Sequence, residues 1–159
     1  MPAYALLLRG VNVGANNSLP MADLRAMLEE LGCAGVTTYV QSGNAVFTAS
    51  LPERTLKTRL EAALAAFMGR PIATRLLGPA DLAAVVAGNP FADVAANPAH
   101  LCVTFLDRPP VASDVAMLHG ETTDPERVVV TGRVIYSLHP AGQGRSRLAA
   151  ALGRLKTPG

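Results

Sequence analysis

A chain of 159 residues, half of them hydrophobic, can form one domain or two small ones, and this composition excludes a disordered protein. Only 4% of the residues are aromatic and Trp is absent, so the core must be built from aliphatic side chains. The net charge of +2 is uneven, because the segment from Arg145 onward holds four basic residues and no acid. Such a tail can contact phosphate or nucleic acid, or its charges can simply solvate the outer face of a helix.

The two cysteines, Cys33 and Cys102, are too few for a disulfide scaffold and stand in apolar surroundings typical of small core residues. The first residues lack the basic stretch of a signal peptide, and Arg9 interrupts their apolar run. No segment approaches the roughly 20 apolar residues of a membrane-spanning helix. The sequence therefore predicts a cytoplasmic protein without membrane association.

The first half of the chain alternates between strand and helix patterns. In chain order these predict a strand at 4–9, a helix at 20–31, strands at 36–41 and 44–49, a helix opened by the segment 50–53 and closed by Gly69, and a strand at 71–77. Ser42-Gly43 favours a tight hairpin turn, and Ser50-Leu51-Pro52-Glu53 has the form of a capping box. The apolar face of the second helix carries Leu56, Leu60, Leu64 and Phe67. This βαββαβ order is that of a ferredoxin-like α-β plait.

A similar pattern restarts in the second half. After a helix at 79–87 and a linker at 92–99, it predicts a strand at 100–106, a helix at 111–119, strands at 127–131 and 133–138, and a helix at 144–155. The predicted fold class is α+β, with two tandem ferredoxin-like plaits (βαββαβ followed by βαββα) and antiparallel sheets. The predicted domains are a first plait at 1–78, a helix and linker at 79–99, and a second, incomplete plait at 100–159. Because the second plait lacks a last strand, we expect an uncovered apolar surface or sheet edge there that can pair with another chain.

Two polar turns are predicted to meet at one end of the first sheet. Strands one and three of a plait are central antiparallel neighbours, so the end of 4–9 lies beside the start of 44–49. The candidate ligand-binding residues on these turns are Arg9, Gly10, Asn12, Gly14, Asn17, Gln41, Ser42, Gly43 and Asn44. An arginine donates to phosphate or carboxylate, glycines admit a ligand close to the backbone, and the helix after Pro20 presents free N–H groups. The sequence thus predicts a small anionic, phosphate-bearing ligand.

The same turns also allow a structural interpretation. Asn and Gly are ordinary turn residues, and Arg9 can pair with Asp23 or Glu30 instead of a ligand. Neither a Walker phosphate loop nor a G-x-G-x-x-G dinucleotide motif is present. Two alternatives therefore stay open beside ligand binding: a structural or protein-interaction module, and an enzyme whose reaction and catalytic residues are unknown.

A second candidate anion site lies at the start of the last predicted helix. Its residues are Gly142, Gly144, Arg145, Ser146 and Arg147. Glycines, a hydroxyl and two arginines at a helix start can hold an anion. The alternative is an ordinary strand-to-helix turn in which Ser146 caps the helix.

Metal and nucleic-acid sites are not favoured. His100, His119 and His139 lie about twenty residues apart and no Cys-x-x-Cys occurs, so we predict no metal and no cofactor. The basic-aromatic signature of RNA-recognition plaits is absent, which makes nucleic acid a less favoured partner. A homodimer is left open.

Together, several motifs resemble one known family. The first blocks are Leu8-Arg9-Gly10-Val11-Asn12-Val13-Gly14 and Thr38-Tyr39-Val40-Gln41-Ser42-Gly43-Asn44. With Asn89-Pro90-Phe91 and the run 142–148, they resemble the bacterial domain of unknown function family 1697. The resemblance implies two tandem ferredoxin-like plaits and carries no activity. Ala15 stands where that family usually has a second glycine, and the chain stops at Gly159, before an Arg-Asn-Trp segment and helix that normally follow.

Overall fold

The computed structural model describes residues 1–14, 18–94 and 97–156. It has two antiparallel sheets with helices, which confirms the predicted α+β class. The chain divides into two compact units, Met1–Ala84 and Val85–Gly159. The finer predicted ranges, 1–78, 79–99 and 100–159, stay a prediction.

The first unit contains a four-stranded sheet and its helices. Its elements are β1 (Ala3–Leu8), α1 (Met21–Glu30), β2 (Ala34–Tyr39), β3 (Asn44–Thr48), α2 (Glu53–Met68), β4 (Thr74–Leu77) and the start of α3 (Pro79–Ala87). The strand order is β2-β3-β1-β4, and every neighbouring pair is antiparallel. Leu6 pairs with Ala45 and Tyr4 with Phe47, so the predicted central pairing of the first and third strands is confirmed.

The core of this unit follows from two periodicities. Leu6 and Leu8 alternate along β1 toward one face of the sheet, where they join a fully buried leucine stripe from the helices. That stripe consists of Leu24, Leu28, Leu56, Leu60 and Leu64, each 0% exposed. The spacing of four residues on a 3.6-residue helix places them on one side, which buries them together.

Two sequence predictions about α2 are wrong. The helix begins after Pro52, and no side-chain hydrogen bond caps it, so Ser50-Leu51-Pro52-Glu53 does not act as a capping box. Phe67 is 48% exposed, because the buried stripe ends at Leu64 one turn before the helix does. Gly69 ends the helix in a left-handed conformation that a glycine adopts without strain.

The second unit contains a three-stranded sheet. After a 3-10 turn at Pro98–His100, its elements are β5 (Leu101–Phe105), α4 (Ala112–Glu121), β6 (Arg127–Thr131), β7 (Val134–Leu138) and α5 (Arg147–Leu152). The strand order is β5-β7-β6, again antiparallel. Leu106, Leu118, Ile135 and Leu148 form a fully buried cluster, while Phe91 and Tyr136 belong to another. Within the described ranges, no helix has the length and apolar composition needed to cross a bilayer.

Candidate functional site

The turn after β1 has an unusual backbone. Gly10 (φ 73°), Asn12 (φ 54°) and Gly14 (φ 76°) all have positive φ, the region that favours glycine and that asparagine tolerates. Arg9 is exposed, and its backbone N–H donates to the carbonyl oxygen of Ala73 at 3.1 Å. The polar sequence 9–14 therefore leaves the sheet in a defined, left-handed path.

The turn between β2 and β3 is longer than the predicted Ser-Gly hairpin, because β2 already ends at Tyr39. Val40 has a φ of 44°, which is a strained conformation for a β-branched residue. The hydroxyl of Ser42 donates to the carbonyl oxygen of Tyr39 and accepts from the backbone N–H of Asn44. Ser42 thus holds the turn closed.

Asn12 joins the two turns. Its Nδ2 donates to the carbonyl oxygen of Gln41 at 2.8 Å and to that of Leu19 at 2.9 Å. Its Oδ1 accepts from the backbone N–H of Leu19 at 2.8 Å. The side chain is therefore a clamp with three internal hydrogen bonds to two residues, and it also fixes the chain just before α1.

Gly43 is where the two turns touch. A Cβ at this position would lie 2.5 Å from Cγ2 of Val11 and 3.2 Å from Cβ of Leu8, and the residue has a φ of 77°. Both facts favour glycine, because a Cβ would collide with Val11 and few other residues adopt this positive φ. The buried Gly43 serves the close approach of the turns, while Gly10 and Gly14 have open space around them.

Basic groups gather at this end of the sheet. Nη2 of Arg70, which follows α2, donates to the carbonyl oxygen of Gly10 at 2.9 Å. Arg75 on β4 lies opposite Leu7, the residue two positions before Arg9 on the same face of the sheet. The turns 9–14 and 41–44 contain no Asp or Glu. The two turns themselves therefore bring no negative charge toward an anion.

The first turn of α1 adjoins the clamp. Pro20 precedes the helix and its side chain provides no cap, while the N–H of Asp23 donates to the carbonyl oxygen of Pro20. Asp23 stands in this turn, where its charge complements the helix dipole. Of the other predicted ligand-binding residues, Gln41 is exposed and Asn44 half-buried, and Asn17 lies outside the described residues.

The second candidate anion site has internal bonds. Oγ of Ser146 accepts from the backbone N–H of Ala149 at 3.0 Å and so caps α5. Nε of Arg147 lies 2.7 Å from Oε2 of Glu121. Arg145 is exposed. These contacts agree with the structural alternative, in which Ser146 caps an ordinary turn.

Sequence reasoning missed a buried polar cluster around His139. The ring is 0% exposed, with Nε2 at 2.9 Å from Oγ of Ser137 and Nδ1 at 3.1 Å from Oγ of Ser146. Oε1 of Glu126 lies 3.5 Å from Nδ1. The alternating pair Ser137 and His139 was a visible signal, but its other members are distant in sequence. Ser137 and His139 are fully buried, and the bond from His139 to Ser146 joins the end of β7 to the start of α5.

A shallow apolar groove of about 330 Å³ lies on the first unit. Its lining includes Ala3, Ala5, Val46, Leu77 and Leu82, and none of the predicted ligand-binding residues takes part. Val46 is 54% exposed. In the described parts of the chain, no cluster of His, Cys, Asp and Glu side chains could hold a metal ion.

Comparison with known proteins places the chain in a family. The profile of DUF1697, described as a protein of unknown function, matches residues 1–136. The chain belongs to this family. The match confirms the resemblance seen in the turn motifs, and DUF1697 carries no activity in its description.

A search of curated proteins finds no match. Among solved structures, the chain is similar to the conserved bacterial protein SP0830 from Streptococcus pneumoniae, with 26% identity and a TM-score of 0.68. The similarity covers 88% of this chain and 78% of that one.

Proposed function

We propose that this DUF1697 protein binds a small anionic, phosphate-bearing ligand where the turns 9–14 and 41–44 meet. The observation that carries the proposal is the clamp of Asn12, which holds the two glycine-bearing turns together beside Arg9 and Arg70. A preorganised backbone next to guanidinium groups binds an anion without first paying for loop ordering.

Charge supports an anion over a cation or a neutral ligand. Arg9 is exposed at the end of β1, and the guanidinium of Arg70 lies at the carbonyl oxygen of Gly10. Since the turns have no carboxylate, an entering phosphate meets no like charge within them. Guanidinium groups bind phosphate in a two-pronged geometry that a lysine cannot match.

Backbone conformation supports the same site. Gly10 and Gly14 leave open space where side chains would otherwise stand, so a ligand can approach the main chain. Val40 is held in a strained conformation, and such strain persists mostly where function requires it.

A protein-interaction module is the second candidate, and the apolar groove favours it. An exposed Val46 beside small residues on a sheet face is the kind of surface a partner can cover. The groove and the turns are different surfaces, so mutations in each distinguish the two functions.

We also infer that each unit is a diverged ferredoxin-like plait. The order β2-β3-β1-β4 in the first unit is the strand order of such a plait, and β5-β7-β6 corresponds to it without the fourth strand. An experimental structure of the whole chain that superimposes the two units on each other would support this inference. Failure of β5, β7 and β6 to superimpose on β1, β3 and β2 would contradict it.

Calorimetric titration with inorganic phosphate tests the ligand proposal. Arg9→Ala should weaken binding by about 1.5–3 kcal/mol, the scale of a hydrogen bond to a charged group. Arg59→Ala is the matched control, because it removes the same charge from an exposed position on α2. Equal affinity in both variants, or no binding by the parent protein, would refute the site.

A further inference from the structure

The outer edge of β5 has backbone groups that face away from the sheet. The backbone N–H of Leu106 donates to the carbonyl oxygen of Arg133 at 2.8 Å. The backbone N–H of His139 donates to the carbonyl oxygen of His100, also at 2.8 Å. Antiparallel pairs bond at alternate residues, so the even-numbered positions of β5 bond to β7. The N–H and C=O groups of Val103 and Phe105 and the C=O of Leu101 therefore point outward, while the N–H of Leu101 donates to the carbonyl oxygen of Pro98 in the 3-10 turn.

In the part of the chain that the structure describes, no strand pairs with this edge, since β5 ends the order β5-β7-β6. The opposite edge, β6, has fewer backbone groups that face away from the sheet. Because Ser137 and Ile135 bond to β5, β6 bonds to β7 through positions 127, 129 and 131, and only Val128 and Val130 point outward. The two edges of one sheet thus differ in the number of groups available to a further strand.

The edge of β5 also lacks the features by which proteins block edge pairing. In the first unit, β2 carries a register shift between Ala34 and Thr37, and the four-residue β4 carries Arg75. In the second unit, β6 begins at the exposed Arg127. In contrast, β5 reads Leu-Cys-Val-Thr-Phe, with no charge, no proline and an uninterrupted register. Charges, prolines, bulges and short strands are what normally prevent an edge from pairing.

We propose that two copies of this chain pair through their β5 edges, antiparallel about a twofold axis at Val103. In this register Val103 faces the partner's Val103, and Leu101 faces the partner's Phe105. The two valines exchange two backbone hydrogen bonds, and each pair of Leu101 with Phe105 contributes one, from the N–H of Phe105 to the C=O of Leu101. About four bonds thus form across the junction and join the two sheets into one. An identical strand fits because β5 carries no charge, and its copy therefore brings no like-charge repulsion.

The side chains of Leu101 and Val103 also favour pairing with a second copy of β5. Leu101 and Val103 pack against the cluster of Phe91 and Tyr136, so their positions on the sheet are fixed before a partner arrives. Pairing about the twofold axis would continue this apolar cluster from one copy into the next. The closed symmetry gives a dimer and no further growth, since each chain uses its one β5 edge.

Analytical ultracentrifugation over micromolar to millimolar concentrations tests the proposal with two proline variants. Val103→Pro removes an outward N–H and leaves the bonds between β5 and β7 in place. Val130→Pro is the matched control, since it makes the same change at an outward position of β6, where the side chain is also partly buried. The parent and Val130→Pro should form dimers, and Val103→Pro should raise the dimer dissociation constant at least about tenfold, the factor that 1.4 kcal/mol corresponds to.

A parent protein that stays monomeric overturns the proposal, as does a dimer that loses stability in Val130→Pro and not in Val103→Pro. A dimer unchanged by both variants shows that the chains meet elsewhere, or that a different strand covers β5.

If Val103→Pro fails to fold, cross-linking decides. With Cys33→Ala and Cys102→Ala as background, Val103→Cys should form a disulfide-linked dimer on mild oxidation, because facing Cα atoms in such a pair lie about 5.5 Å apart. Val130→Cys in the same background should not. Equal cross-linking of the two, or none at position 103, contradicts the proposal.

Discussion

The side-chain amide of Asn12 donates to the carbonyl oxygen of Gln41 at 2.8 Å, across 29 positions of sequence. The same amide and its oxygen bond to Leu19, so one side chain sets the distance between the two turns and the entry into α1. The proposed anion site depends on this bond, because it holds Arg9 and Gly10 beside the second turn.

Replacement of Asn12 tests the clamp. Asn12→Ala removes three hydrogen bonds and keeps an unfavourable positive φ, and we expect a loss of about 2–4 kcal/mol in the free energy of unfolding. Asn12→Gly removes the same bonds and relaxes the backbone, so it should lose about 1 kcal/mol less. Urea unfolding measures both. A loss below about 0.5 kcal/mol in each, the range of ordinary surface changes, would show that the clamp is not needed.

Gly43→Ala tests the contact between the turns. Its Cβ would collide with Val11, and its φ is positive, so we expect a loss above about 2 kcal/mol in unfolding free energy. Gly10→Ala is the control, since it has a similar φ and open space, and should cost only the backbone term of about 1–2 kcal/mol. Val11→Ala should partly rescue Gly43→Ala in a double-mutant cycle. Equal losses at the two glycines would argue against the steric explanation.

Ser146→Ala tests whether the second candidate site is structural. The hydroxyl caps α5 and contacts His139, so its removal should cost about 1–2 kcal/mol of stability without changing phosphate affinity. Ser146→Thr keeps a hydroxyl and should lose less. If Ser146→Ala instead weakens phosphate binding while stability is unchanged, the turn 142–147 is an anion site.

The cysteines predict a dependence of stability on alkaline pH. Burial raises the pKa of the Cys33 and Cys102 thiols above their ordinary value of 9.0. The unfolded chain therefore loses these protons first as pH rises, and the stability they contribute is complete below pH 9.0 and is lost as pH passes through the raised pKa.

Urea unfolding between pH 8 and pH 10 measures this effect, with Cys33→Ala plus Cys102→Ala as the comparison. The unfolding free energy of the parent should fall more steeply with pH than that of the double variant. Parallel pH profiles would show that neither thiol titrates differently on folding.

Sequence pattern predicted the α+β class and the central pairing of β1 with β3, because alternation and helical spacing are local properties. It failed where the outcome depends on distant contacts. Phe67 continues the helical spacing and is still 48% exposed, since the buried residues of α2 end at Leu64. Ser50 and Glu53 have the spacing of a capping box, yet the chain enters α2 through Pro52.

The candidate site was likewise predictable only in part. The residue types that favour an anion were visible in the turns, and so was their convergence once the plait order was inferred. The roles of Asn12 and Gly43 were not, because each depends on a residue in the other turn, Gln41 and Val11. His139 likewise bonds to Ser146 and lies near Glu126, partners that no spacing rule connects.

The most direct test of the anion site is an amide NMR titration with inorganic phosphate, with chloride at matched ionic strength as the reference. We predict that the amide signals of Gly10 and Gly14 shift and saturate in the parent protein and in Arg59→Ala, while Gly132, in the hairpin of the second sheet, does not move. In Arg9→Ala the same shifts should need about 10- to 150-fold more phosphate, which corresponds to 1.5–3 kcal/mol. Absence of saturation at Gly10 and Gly14, or an identical titration in Arg9→Ala, would contradict the account.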